Sequence, residues 1–141
     1  MLEVIRIGAL ELRFLQSKET SDGSLDLFEM TIPPKARVPV PHFHENWDET
    51  VYGLGGVSIW RVDEREVALQ PGAVVFVKRG IVHSFRNDGE EVATCLNILS
   101  PGVLGPAYFR EMGELIAGGR PDPERMSAIM LRHGLVPAPG F

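Results

Sequence analysis

Apolar and polar residues alternate along Leu10-Glu11-Leu12-Arg13-Phe14. This is the two-residue period of a half-buried strand, whose successive side chains point to opposite faces. Leu25 to Ile32 follows the turn-rich run SKETSDGS and stops at Pro33-Pro34, neither of which can extend a hydrogen-bonded ladder. The pattern predicts further strands over 40–44, 49–54, 57–62, 65–69, 73–77, 81–86 and 90–99. Between them sit Asp63-Glu64, Pro71-Gly72, Arg79-Gly80 and Asp88-Gly89, of which Asp-Gly is a strong hairpin signal. Short strands at such regular spacing predict a sandwich or closed barrel. No helical crossover interrupts them, which disfavours a parallel sheet.

After Ser100-Pro101-Gly102 the period changes. Pro106–Ala117 places Tyr108/Phe109, Met112, Leu115 and Ile116 on one helical face, with Pro at its start and Gly118-Gly119 at its end. A second helix has Asp122 as N-cap, Pro123 at its first position and Glu124 beside the positive helix end. It runs through Met126, Ile129, Met130 and Leu131 to Gly134, a good C′ residue. Neither helix is long enough to stand alone in water, so both are expected to pack on the barrel or on a second subunit.

Composition narrows the function classes. The 141 residues are 44% apolar and 23% charged, the usage of one ordinary globular domain. Fifteen Gly and 11 Pro favour many tight turns over long helices. Fourteen Lys+Arg against 19 Asp+Glu leave a net charge of −5 with no basic run. No nucleic-acid partner is expected, since that needs a cationic stripe. The N-terminal stretch is interrupted by Glu3, Arg6, Glu11 and Arg13, unlike a signal peptide. No window approaches the length of a membrane span. The lone Cys95 fits a reducing compartment, so the expected location is cytoplasmic, with no membrane partner.

Three of the four histidines fall into one pattern with a carboxylate. His42-Phe43-His44 precedes Glu49, and His83 lies far downstream. Residues two apart on a strand share a face, so His42 and His44 can point together into a barrel. Glu49 has the opposite parity and reaches that face only if the chain turns or bulges at Glu45-Asn46-Trp47-Asp48. Barrel closure can bring His83 opposite the first pair. Three imidazoles and one carboxylate suit one divalent transition metal per subunit: Fe, Mn, Ni, Co, Cu or Zn. A dication with one carboxylate favours an enolate, phenolate or carboxylate ligand and acidifies a coordinated hydroxyl. HxH alone reads more often as a solvated loop than as a ligand set; Glu49 and His83 are what turn the reading toward metal.

At these residues the sequence resembles a cupin. The first motif reads PHFHENWDETVYGLGG, with His42, His44, Glu49 and Gly56 at the family spacing. The second reads GAVVFVKRGIVHSFRN, with Gly72, Gly80, His83 and Asn87 in place. Ala36 and Lys78 depart from the family's usual Gly and Pro, and all four ligand positions are intact. The resemblance spans about residues 25–100, and the tail YFREMGELIAGGRPDPERMSAIMLRHGLVP resembles the helical extension of bacterial quercetinase-like cupins. It implies an all-β fold: a double-stranded β-helix, or jelly-roll barrel, over about 1–100, with two short C-terminal α-helices over about 105–134. The resemblance also implies a homodimer. It implies a mononuclear metal-dependent dioxygenase acting with dioxygen on an enol- or phenol-type small molecule. His42, His44, Glu49 and His83 would hold the metal, and Glu49 would also accept the substrate proton. A metal-dependent isomerase, lyase or epimerase, and a non-catalytic small-molecule binder, stay open beside it.

The remaining residues have blander readings. Among Trp47, Tyr52, Trp60, Phe76 and Phe85, only Trp47 and Phe85 are candidates for the substrate pocket, and the others are expected in the core. Phe85 shares a face with His83. His133 is expected to cap the last helix turn, Cys95 to be a small buried hydrophobe, and Lys78 to lie in a solvated turn. Gly53 is expected to enlarge the cavity or relieve strain.

Overall fold

The alternation becomes two antiparallel sheets in a computed structural model that describes residues 2–138. In chain order the elements are β1 (Val4–Ile7), β2 (Leu10–Gln16), β3 (Asp26–Ile32), β4 (His42–His44), β5 (Asp48–Gly55), β6 (Ser58–Val62) and β7 (Arg65–Leu69). They continue with β8 (Val74–Val77), β9 (His83–Arg86), β10 (Ala93–Ser100), α1 (Pro106–Ala117), α2 (Pro123–Arg132) and β11 (Leu135–Pro137). One sheet has the order β1-β2-β3-β10-β5-β8, and the other β11-β4-β9-β6-β7. Their facing sides enclose the core of a double-stranded β-helix.

Strand parity decides what lies inside. Along β3, Asp26, Phe28, Met30 and Ile32 are buried; along β10 it is Ala93, Cys95, Asn97 and Leu99. Their neighbours alternate outward, as the pleat requires. Asp26 is a fully buried carboxylate that accepts the backbone N–H of Lys18 at 2.8 Å and of Gly105 at 3.0 Å. Burial pushes its carboxyl pKa up against those two bonds. It ties the β2–β3 turn and the start of α1 to the sheet.

Both helices form where the pattern placed them. Pro106 opens α1, and Phe109 packs against Phe14 and Phe28 at ring distances of 5.7 and 5.3 Å. Asp122 caps α2 by accepting the Glu124 N–H at 3.0 Å. Glu111 on α1 accepts from Arg132 and lies 3.0 Å from His133 Nε2, joining the two helices. Gly134 follows at φ +91°, the left-handed conformation a C′ residue adopts and β-carbons resist. His133 is therefore the helix cap, as expected, and its ring also meets Glu111.

Several expectations need correction. Strands β1 and β11 were not among the predicted segments. Leu135–Pro137 is only three residues and ends in Pro, which an edge strand tolerates. The strand expected over 40–44 forms only at 42–44, and that expected over 90–99 begins at Ala93. Tyr52 and Phe76 are not core: they are 38% and 53% exposed, because Val51 and Val75 hold the inward parity of β5 and β8. Gly53 neither enlarges the cavity nor relieves strain. A β-carbon there would lie 2.2 Å from the Gln70 carbonyl oxygen, so close backbone approach demands the glycine.

Candidate metal centre

His42 and His44 stand on β4, and His83 on β9 is the cross-strand partner of His42. Glu49 begins the inward series of β5, which belongs to the opposite sheet. The turn anticipated at residues 45–48 thus carries the chain from one sheet to the other, and the crossing reverses the parity of Glu49. Asp48 fixes that turn by accepting from the backbone N–H of Arg79 at 2.9 Å and from its guanidinium at 3.1 and 3.0 Å. The Gly80 N–H adds a 2.7 Å bond to the His44 carbonyl.

The three imidazoles offer ring nitrogens within 4.8 Å of one another, a group able to hold a metal ion. Their orientation is set by the backbone. Nδ1 of His42 meets the Val40 carbonyl at 2.8 Å, that of His44 the Trp47 carbonyl at 3.0 Å, and that of His83 the Ile81 carbonyl at 3.0 Å. A carbonyl only accepts, so each Nδ1 carries a proton, and the tautomer this selects places the ring lone pair on Nε2. Outer-sphere carbonyl bonds of this kind orient metal-ligating histidines.

Glu49 Oε1 lies 3.3 Å from His44 Nε2 and 3.5 Å from His83 Nε2. Two lone pairs facing a carboxylate oxygen repel unless a proton or a cation lies between them. The donor set therefore fits a divalent ion. Burial, reinforced by the neighbouring His83, pushes the His42 pKa down to about 3, keeping its lone pair free. Burial acts to raise the Glu49 carboxyl, but the His44 and His83 rings beside its Oε1 outweigh burial and hold the group well below the ordinary carboxylate range.

Asn97 is a site residue that motif reading missed. Its Nδ2 donates to Glu49 Oε2 at 3.1 Å, and its Oδ1 accepts the Cys95 thiol at 3.3 Å. The available signal was a lone amide at an inward position of an otherwise apolar strand. Cys95 is fully buried, and burial raises its pKa to about 12, so it is a buried thiol as expected.

The cluster opens into an apolar cavity of about 70 Å³, room for several waters or a small ligand. Trp47, Phe85 and Trp60 all line it. Beyond them the wall is formed by residues of β1–β3 and by Tyr108, Phe109 and Met112 of α1. The Trp47 ring stacks on His44 at 4.5 Å and 18°. Its indole N–H is the buried side-chain polar group left without a hydrogen-bond partner among the described residues.

A family described as Cupin domain matches residues 28–99. Quercetin 2,3-dioxygenase of Bacillus subtilis is 31% identical over 106 residues, which are 75% of this chain and 31% of that protein. The chain thus spans under a third of that relative's length. An oxalate-binding protein of Thermotoga maritima is 34% identical over 83 residues, 58% of this chain and 68% of the relative. Among solved structures, a predicted oxalate decarboxylase of Thermotoga maritima superposes with a TM-score of 0.65 at 27% identity, covering 72% of this chain and 92% of the other. A polyketide cyclase of Streptomyces resistomycificus gives 0.61 at 24% identity, covering 71% and 72%, and shares the fold.

Proposed function

The chain belongs to the cupin family, and from that premise we propose that it is a mononuclear metal-dependent dioxygenase acting on an enol- or phenol-type small molecule. In this reading His42, His44, His83 and Glu49 hold one divalent transition ion, drawn from Fe, Mn, Ni, Co, Cu or Zn. The observation that supports it is the convergence of three Nε2 lone pairs, all Nδ1 protons being committed elsewhere, beside an ionised carboxylate. When bound, the metal supplies Lewis-acid chemistry that acidifies a coordinated hydroxyl and poises the substrate for dioxygen.

This chain's own residues perform the rest. Glu49 would accept the hydroxyl proton as general base by swinging off the ion or by hydrogen-bonding across to the substrate, and the Asn97 amide holds its Oε2. Phe85, Trp60 and the α1 side chains exclude water from an apolar body. Oxygen uptake by protein loaded separately with Fe, Mn, Co or Ni, offered flavonols and smaller enols and phenols, tests the proposal. No uptake with any pairing overturns it.

The oxalate-binding relative supports a second reading, a cupin that binds a small carboxylate without turnover. Against it, no Lys or Arg is among the described residues lining the cavity, and a dianion would need cationic partners beyond the metal. Calorimetry with oxalate separates the two. Action as a cytoplasmic homodimer is also part of the proposal, and a solution mass of one chain rather than two would remove the dimer. Among the described residues no helix is long and apolar enough to cross a membrane.

A further inference from the structure

The outer face of the larger sheet has two unlike halves. On β2 and β3 it carries Glu11, Arg13 and Glu29, with Arg13 donating to Glu29 at 3.0 Å. That is the ordinary character of a solvated antiparallel sheet, apolar within and polar without. On β10, β5 and β8 the outward positions instead include Leu96, Ile98, Tyr52, Leu54, Val74 and Phe76. Register makes them one patch. Leu96 lies opposite Tyr52, Tyr52 opposite Val74, and Thr50 joins Ile98 to Phe76. Tyr52, Leu54, Val74 and Phe76 are 38–57% exposed, and no charged residue stands within 50–54, 74–76 or 94–98. Strand β8 also ends its sheet among the described residues. Its run Val74-Val75-Phe76-Val77 holds neither charge nor proline, the devices that ordinarily guard an exposed edge.

We propose that this apolar half-face is the surface through which two copies of the chain pack, sheet on sheet, about a two-fold axis. The inference rests on the homodimer named above and gives that dimer its place. A two-fold axis sets a patch against itself, so the patch must tolerate its own charges. The chain carries a net charge of −5, which opposes self-association wherever carboxylates face one another. Here the bordering carboxylates are neutralised within the chain: Glu29 by Arg13 and Asp48 by Arg79, each at 3.0 Å. The area agrees. Aromatic side chains bury about 150–250 Å² each, so half-exposed Tyr52 and Phe76 with Leu54 and Val74 offer on the order of 300 Å². With a polar rim around it, that is the apolar centre of an interface burying about 800 Å² per partner. Other exposed apolar side chains build no such patch: Val4 stands opposite Arg13, and Leu131 adjoins Arg132.

The test is the solution mass of the full chain by sedimentation equilibrium. Unsubstituted protein should give the mass of two chains. Phe76→Glu, at a position already half exposed, should raise the dissociation constant about a thousandfold, because a central residue is lost on both sides of the axis. Val4→Glu, at the far end of the same sheet, should leave the dimer intact. In unsubstituted protein, isotope-filtered NMR on mixed labelled and unlabelled chains should show contacts between copies at Val74 and Phe76. This second measurement stands even if the variant folds poorly. A two-chain mass that survives Phe76→Glu, equal dissociation by Val4→Glu, or contacts between copies at Val4 or Leu131 in place of Val74 and Phe76 overturns the inference and leaves the dimer standing. A one-chain mass of the unsubstituted protein overturns the dimer and the inference together, and neither result touches the metal reading, which zinc uptake tests by itself.

Discussion

Asn97 and Gly53 show how single residues act on the site without belonging to a motif. The Asn97 amide is the partner of Glu49 Oε2, and outer-sphere partners of this kind are worth about 10–100-fold in metal affinity. Asn97→Ala is therefore expected to lower zinc affinity on that scale, read by chelator competition, with the fold retained by circular dichroism. Gly53→Ala acts differently. Its β-carbon would press on the Gln70 carbonyl, a backbone atom 2.2 Å away, and overpacking of that kind costs about 1–3 kcal/mol. Urea unfolding should show the loss. The histidines and Glu49 were legible from spacing because each has a motif position. Asn97 had only its inward parity, and the role of Gly53 depended on where residue 70 would pass, which no local pattern states.

At the scale of elements, the predicted strands and both helices formed where period and turn chemistry agreed. Tyr52 and Phe76 were misplaced because aromatic identity was read ahead of parity: Glu49, Val51 and Gly53 already fixed the inward face of β5. Strand β11 was missed since three residues carry no period, and its existence depends on β4 offering an edge. The helix pair carries a pH-dependent clasp. Glu111 has its pKa lowered from 4.5 to about 2, first by the hydrogen bond from Arg132 and then by His133. An acid with a depressed folded pKa stabilises above its unfolded value, and that contribution disappears as pH falls toward about 2. Thermal unfolding of the parent chain should thus lose stability over this window. Glu111→Gln should be less stable at neutral pH and should lack that part of the decline.

For the molecule as a whole, the histidine-bearing strand β4 is completed on its outer side by the last strand of the described residues. Leu135, Val136 and Pro137 pair with His44, Phe43 and His42, and Leu135 is buried against the cavity. Ending the chain at Gly134 removes a buried leucine worth about 2 kcal/mol and frees the histidine strand on one side. Lower thermal stability and weaker zinc binding are expected together, measured by calorimetric scanning and zinc titration. Retention of full zinc affinity would show that β9 alone suffices to hold β4.

That pairing also orders events during synthesis. The histidines of β4 leave the ribosome long before Leu135–Pro137, the segment that clamps them. A nascent chain therefore presents these imidazoles on a strand still lacking its outer neighbour, and the histidine cluster gains its full backing only once Leu135–Pro137 has emerged.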